Sequence, residues 1–438
     1  MGQRLGKGTA DPQSVKSPPR QDQQKASAAP RTGAGGGGQR SRTPSPDTRG
    51  TGKPSSTPAS GGAARSSLDQ IRDDDPKLEL SSADFELISV LGKGAFGKVQ
   101  LVMKKDDRKK KMYAMKTLSK KKLLEYGQIR NTATERDVLE KIKSPFLITL
   151  VYAWQTSEKL YMVLTYAPGG ELFTWIRSQK RFNESRTRLY AAELILALEA
   201  MHKENIMHRD IKTENVLLDA EGHVKLTDFG LAKAGITAAV GGEGGTSTVC
   251  GTVDTMAPEV AGGLRYGKAA DWWSLGALIY ELLFGLPPFY SDKKSQMSQL
   301  KYMSRIQNQP LAFRTIVPDA SGNAKDILTK LLNKDQLARL GSNRGVEEIK
   351  RHAFFSSLDF SRVLSREYIP EFRPPSGSSP QENFDPEFTR EVPADSICQP
   401  LGDTMAQQAA FEDFTYRESP RNGESGRDSL LLGKFPPR

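Results

Sequence analysis

The chain has 438 residues, 37% of them hydrophobic, with 63 Lys and Arg against 52 Asp and Glu and a formal net charge of +11. That length allows a large core in about two or three domain-sized units, while Cys250 and Cys398, the only cysteines, stand outside any CxxC spacing, which excludes a disulfide framework and a zinc site and fits a reducing compartment. The basic residues are scattered and no aromatic residues interleave with them, so no specific nucleic-acid binding is expected.

Residues 1–78 are rich in Gly, Ser, Pro, Gln, Thr and Arg. A run such as GAGGGGQRSRTPSPDTRG cannot bury enough apolar surface to offset the entropy of ordering it, so a disordered tail is expected. Its first 40 residues hold no apolar run of signal-peptide type, and MGQRLG puts Gly6 where a myristoylation signal wants Ser or Thr. Neither a secretory leader nor lipidation of Gly2 is expected.

From Asp84 the pattern changes. FELISVLG and KVQLVMKK alternate as strands around a glycine turn, and KMYAMKTL reads as a third strand. RNTATERDVLEKI has helical spacing, and FLITLVYAW and KLYMVLTYA are two further strands. A mostly antiparallel sheet with one helix is expected over about 85–164. The lysine runs KKDDRKKK and SKKKLL read as solvated surface. Beyond GGEL the pattern turns helical. ESRTRLYAAELILALEAMHKE is long and amphipathic, and its Glu193 and Glu199 make it a core helix, not a membrane span. KAADWWSLGALIYELLFG is apolar nearly all round, as a central buried helix should be. Short strands are expected at VLLD and VKLT. After RHAFF, residues 351–355, the chain is expected to run extended, ending in a flexible stretch at 428–438.

LGKGAFGKV, from Leu91 to Val99, carries Gly92, Gly94 and Gly97 in G-x-G-x-x-G spacing. In a dinucleotide-binding unit a helix would follow; here KVQLV, a strand, does, so the glycines sit at a hairpin tip, where backbone N–H groups can approach phosphate. Lys116, one strand later, needs a carboxylate to orient it; Glu135 is the candidate on the following helix, with Glu140 as the competitor. HRDIKTENVLL, residues 208–218, crowds Arg209, Asp210, Lys212, Glu214 and Asn215 together, and DFG (228–230) and APE (257–259) follow in order.

Hairpin, lysine, helix glutamate, HRD with its Asn, DFG and APE together resemble the signature of the eukaryotic protein kinases over residues 85 to about 355. The resemblance implies an α+β bilobal fold, with a small lobe of antiparallel sheet plus one key helix over about 85–164 and a mostly helical large lobe over about 168–355. It implies ATP and Mg2+ as cofactors. By motif, Asp210 would accept the acceptor hydroxyl's proton, Lys212 would steady the moving phosphoryl group, and Asn215 and Asp228 would hold metal. Lys116, paired with Glu135, would contact the α- and β-phosphates. Leu91, Phe96, Val99, Ala114 and Leu217 would line the nucleotide pocket, with Leu164 as gatekeeper and the backbone of Thr165 and Ala167 against adenine. Thr165 replaces the acid usual in the family, but only its carbonyl is needed. Leu139, Leu150, His208 and Phe229 match four stacked apolar positions linking the lobes. RDIKTEN is the serine/threonine pattern, and Leu231 after DFG favours serine.

Three stretches resemble the AGC group of that family, most closely in look the protein kinase B and ribosomal-protein kinase types. TSTVCGTVDTMAPE matches its activation segment, with Thr248 as phosphosite. NFDPEFTREVPADS (383–396) matches its C-terminal tail, taken over 356–427, with Ser396 at the turn-motif position but no following Pro. FEDFTY (411–416) matches the hydrophobic motif, with Thr415 as phosphosite and a docking point for an upstream kinase. VDT at 253–255 replaces a more usual Pro/Ile-Glu-Tyr. Glu171, Glu214 and Glu281 match positions that receive arginines upstream of the acceptor, and Glu171 has a second role open to it, bonding the ATP ribose. The resemblance implies a monomer acting on Arg-containing protein sites in the cytoplasm, with the nucleus as a second location. A pseudokinase scaffold is the rival reading; the presence of Lys116, Glu135, Asp210, Lys212, Asn215 and Asp228 speaks against it.

Overall fold

A computed structural model describes residues 80–291, 297–314, 320–375, 377, 379–396, 398, 411 and 414–417. The expectations for 1–78 and 428–438 fall outside these residues.

The small lobe is built on a sheet. Strands β1 (Phe85–Lys93), β2 (Gly97–Lys104), β3 (Met112–Ser119), β4 (Leu150–Gln155) and β5 (Lys159–Thr165) pair antiparallel in the order β1-β2-β3-β5-β4. The glycine turn joins β1 and β2, with Lys93 opposite Lys98. Gly97 is obligatory there, because a Cβ would sit 1.7 Å from the Thr117 carbonyl oxygen of β3. Both faces of the sheet are apolar. Leu118, Met162 and Leu164 join the main core on the inner face, whereas Phe85, Trp154 and Tyr161 stack on the outer face with ring centroids 5.6 and 4.8 Å apart. Burial on both faces accounts for the nearly unbroken apolar run of β5.

Two helices, not one, belong to this lobe. Helix α2 (Ile129–Lys141) is the expected one. The short α1 (Lys120–Glu125) precedes it, capped by the Ser119 hydroxyl, which accepts from the Lys122 N–H. The lysine run of α1 is therefore not all solvated surface. Lys120 is buried, its ammonium 5.0 Å from the centre of the Phe411 ring, and burial lowers its pKa.

The large lobe is helical. It comprises α3 (Leu172–Gln179), α4 (Glu184–Lys203), the hairpin β6 (Val216–Leu218) and β7 (Val224–Leu226), then α5 (Pro258–Ala261), α6 (Ala269–Phe284), α7 (Gln299–Asn308), α8 (Gly322–Leu331) and α9 (Val346–Lys350). The Asn183 side chain caps α4, accepting from Arg186 N–H at 2.9 Å. Every residue of α6 except Glu281 is buried, as its all-round apolar sequence requires. The tail is not extended throughout: α10 (Phe360–Leu364), capped by Asp359, and α11 (Pro386–Thr389), capped by Asp385 with Pro at its start, interrupt it. Its last described residues form β8 (Tyr416–Arg417), an added edge strand on β4.

Candidate active site

Sheet register brings the small-lobe residues together. Gly92 pairs with Val99, Val99 with Lys116, and Ala114 with Leu164, so the hairpin, the lysine and the gatekeeper position lie side by side. Lys116 Nζ meets Glu135 Oε1 at 2.5 Å. Burial works against the lysine's charge, but the Glu135 and Asp228 carboxylates outweigh it and raise its pKa. The competitor Glu140 is engaged elsewhere, with Arg136 at 2.8 Å. Leu139, Leu150, His208 and Phe229 are all buried, and the His208 and Phe229 rings meet edge to face at 5.4 Å.

The catalytic-loop cluster forms one hydrogen-bonded unit. Lys212 Nζ donates to Asp210 Oδ2 at 2.8 Å, and Asn215 Nδ2 donates to the Asp210 carbonyl and Oδ2 at 2.8 and 3.0 Å. Thr252, which the sequence does not single out, donates its hydroxyl and N–H to Asp210 Oδ1 at 2.7 and 2.9 Å, and its hydroxyl accepts from Lys212 at 2.9 Å. Burial would raise the Asp210 pKa, but Lys212 and these donors hold it below the ordinary value, so the group is a carboxylate at neutral pH. Arg209 and Asp228 adopt positive φ, 68° and 61°, a cost that clusters at functional sites. Asp271, at the head of α6, supports the loop from below. Its fully buried carboxylate accepts from the His208 and Arg209 N–H groups at 3.0 and 2.9 Å and meets His202 Nε2 at 2.8 Å. An acid at the head of a nearly all-apolar helix was the sequence signal for it; Thr252 had none.

The residues assigned to metal fit a hard cation. Asp228 and Asn215 carry oxygen donors, and no group of three or more His, Cys, Asp or Glu is assembled for a metal among the described residues. Oxygen donors of this kind suit a hard ion that takes its remaining ligands from phosphate and water.

A model of the protein kinase domain matches residues 85–355, and one of the protein kinase C-terminal domain matches residues 382–416. The chain belongs to the AGC group of the protein kinase family. It is 45% identical over 336 residues to the serine/threonine protein kinase ypkA of Aspergillus fumigatus, covering 76% of this chain and 50% of that protein. It is 45% identical to human serine/threonine-protein kinase Sgk2 over 343 residues, 76% of this chain and 88% of that protein. Protein kinase 2 of Dictyostelium discoideum matches at 43% over 343 residues, 78% and 68%. The chain thus spans about half the length of the fungal relative.

This AGC-group chain gathers acidic residues beside the catalytic loop. The Thr213 hydroxyl lies 3.3 Å from Glu214 Oε2 and 3.4 Å from Glu281 Oε2. Burial, then Glu214 and Asp385, push the Glu171 carboxyl up to about 7, with Lys212 opposing. The three glutamates singled out in the sequence therefore converge, and Asp385 from the tail joins them. Asp254 of the VDT stretch accepts from Tyr302 on α7 at 2.8 Å.

The tail borders the segment that follows β5, residues 166–168. Phe384 stacks on Tyr166 at 5.8 Å, and Asn383 Nδ2 donates to the Pro168 carbonyl at 2.9 Å, beside buried Ala167. Thr165 N–H is bonded to the Thr149 carbonyl at 2.9 Å. Leu217 bridges to Glu171, and Leu91 is buried, whereas Phe96 packs edge to face on Tyr126 at 5.8 Å.

Of the expected phosphosites, Thr248 and Thr415 are exposed. Tyr266 hydroxyl donates to the Thr248 carbonyl at 2.6 Å, and Gly251 (φ 101°) is so close to Arg209 that a Cβ would come within 2.6 Å of its carbonyl. Arg209 Nε donates to the Leu231 carbonyl at 2.7 Å, and its Nη1 is buried without a hydrogen-bond partner. Phe411 and Phe414 are buried in the same apolar cluster as Leu123, Val138 and Leu139. Ser396 N–H donates to Asp395 Oδ1 at 2.8 Å.

Proposed function

We propose that the chain is an active serine/threonine kinase that transfers the γ-phosphoryl group of ATP, with Mg2+, to protein sites carrying upstream arginine, and that phosphorylation of Thr248 and of the hydrophobic motif at Thr415 controls it. The observation that carries this is the Asp210 unit. A carboxylate held ionised and aimed by Lys212, Asn215 and Thr252 can take a hydroxyl proton, and Lys212 Nζ, 2.8 Å away, lies where charge moves during transfer. The Lys116–Glu135 pair at 2.5 Å is formed, so the small-lobe cation is already oriented. Bound magnesium, held by Asp228 and Asn215, would offset phosphate charge. Two unit charges at about 4 Å interact by roughly 4 kcal/mol at an effective dielectric near 20, so the crowding of this loop is an electrostatic requirement of the substrate. Glu171, Glu214 and Glu281 support selection of arginine, whose guanidinium bonds a carboxylate through two parallel N–H groups.

Transfer of radiolabelled phosphate from Mg-ATP to a mixed serine and threonine peptide pool tests the reading. Wild type should label the pool and Asp210→Asn should not; equal labelling, or none by a chain that binds ATP, would sink it and favour the scaffold reading.

A further inference from the structure

One cleft lies well away from the catalytic loop. About 250 Å3 in volume, it opens between the first turns of α4, which contribute Arg186, Arg188 and Leu189, and the start of the tail, which contributes Leu358, Ile369 and Glu371. From Arg186 to His202, where α4 meets Asp271, the helix rises by about 24 Å. An occupant of this cleft would therefore leave the Asp210 unit free.

Two guanidinium groups in its wall have nitrogen atoms to spare. Arg186 is only 6% exposed, sandwiched between the Phe182 ring at 3.6 Å and the Phe372 ring at 4.0 Å. Its Nε donates to the Tyr190 hydroxyl at 3.1 Å and its Nη1 to Gln179 Oε1 at 2.7 Å, but Nη2 is buried without a hydrogen-bond partner. Burial lowers its pKa, opposed by Tyr190 and by Glu371, whose Oε1 is itself taken up by Asn183 Nδ2 at 2.7 Å. Arg188 is held more loosely. Its Nη1 lies 3.5 Å from Ser357 Oγ and its Nη2 3.5 Å from Glu184 Oε2, and its Nε is buried with no partner. Glu184 is also engaged by the Ser321 hydroxyl at 2.9 Å. A buried donor left unbonded costs about 1–3 kcal/mol. The wall is short of acceptors, not of donors.

We propose that this cleft is a docking site for a protein segment that places an Asp or Glu beside an apolar side chain. Arg188, whose contacts are both 3.5 Å long, can turn toward an entering carboxylate, which would accept from its Nε and from Arg186 Nη2. The apolar neighbour would cover Leu189, Leu358 and Ile369. Ile369 is 75% exposed, so it is the apolar surface an occupant would remove from water. A carboxylate suits the cleft better than a phosphate, because Glu371 in the wall and Glu184 behind Arg188 repel a dianion more than a single charge.

The full chain would be titrated, without ATP, with fluorescent peptide pools free of unmodified Ser, Thr and Tyr, so that binding is read apart from catalysis. In one pool Asp or Glu stands beside Leu; in a second Asn or Gln replaces the acid; in a third phosphoserine does. The acidic pool should bind at least about tenfold more tightly than the carboxamide pool, as one charge-assisted bond implies. Arg188→Gln should remove that difference, and Arg188→Lys should restore part of it. Ile369→Ser, at an exposed position where the fold is not at stake, should weaken binding by about two- to fivefold. Bound peptide should slow amide exchange in residues 185–189 and 357–369 and leave residues 91–99 unchanged. Equal affinity for the acidic and carboxamide pools overturns the proposal, as does binding that Arg188→Gln and Ile369→Ser both leave intact. Tighter binding of the phosphoserine pool overturns the carboxylate assignment, and protection elsewhere on the chain overturns the site.

Discussion

Glu171 shows how much depends on where one carboxyl sits. With its pKa pushed up to about 7, it is mostly neutral at pH 6 and mostly ionised at pH 8. A neutral carboxyl holds a guanidinium poorly. The ratio of kcat/KM for an arginine-containing over an arginine-free peptide should therefore rise severalfold across that interval, and the rise should be absent from Glu171→Gln. Stability moves the other way. A native pKa above the unfolded value means the protonated form favours folding, so wild type should lose stability relative to Glu171→Gln as pH rises from 4.5 to about 7. Thermal melts of both at several pH values would show it; parallel curves would contradict the assigned burial. Asp210 behaves oppositely, its pKa lying below the ordinary value. Asp210→Asn should keep the fold and ATP affinity while kcat falls by at least about tenfold, a drop in kcat without a matching rise in KM. Most of these residues were readable because their chemistry dictates type and spacing: Lys116, Glu135 and Asp228 form one interacting group, and Asp210, Lys212 and Asn215 another. Thr252 was not readable, because a hydroxyl 42 positions from Asp210 carries no periodicity or charge to mark it.

The activation segment is where sequence composition and packing part. Its glycines suggest a chain that stays disordered until Thr248 is phosphorylated, yet much of the stretch is already bonded. Ala238 and Ala239 carbonyls accept from Lys268 and Ala269, Gly241 N–H reaches Gln336, and Arg265 bonds the Gly242 and Gly245 carbonyls. Phosphorylation should therefore slow amide exchange mainly in residues 246–251, near the unpartnered Arg209 Nη1 and near Lys233, which donates to Thr246 at 2.9 Å. Uniform slowing from 234 to 256 would mean that the glycine packing is not stable by itself. The strands and long helices were legible from period-2 and 3.6-residue patterning, which core burial enforces. Helix α1 was obscured by its lysines, and the tail helices by their shortness and the polar sequence around them. Phe411 and Phe414 were recognisable as a pair, but the small-lobe residues that meet this segment, Lys120 over the Phe411 ring and Gln155 on its carbonyl, are more than 250 positions away. Phe414→Ala should release β8, seen as faster exchange at Tyr416, and loosen α2, lowering kcat severalfold; a buried Phe-to-Ala change removes about 3–5 kcal/mol of packing.

Two large-lobe segments, the APE stretch and the loop after α8, are joined by a buried ion pair. Arg339 bonds Glu259 through two nitrogens, at 2.6 and 2.8 Å, with both residues almost wholly buried. Glu259→Ala should lower unfolding stability by about 3–5 kcal/mol, because it leaves a buried guanidinium without its partner, and denaturant titration would register it. Catalytic loop, activation segment and tail meet, with Thr252 on Asp210 and Asp385 acting on Glu171, so the proposed substrate choice is a property of the assembled chain. A positional peptide library, phosphorylated by the full chain with radiolabelled ATP, reads that property. Arginine three residues before a serine or threonine should dominate, with weaker arginine preference at five or two before. Loss of the principal arginine should lower kcat/KM by about one to two decades, as a charge-assisted contact of roughly 1.5–3 kcal/mol implies. Selection for acidic residues or for a following proline, or transfer that Asp210→Asn leaves intact, would contradict the assignment of the carboxylates on which the proposed function stands.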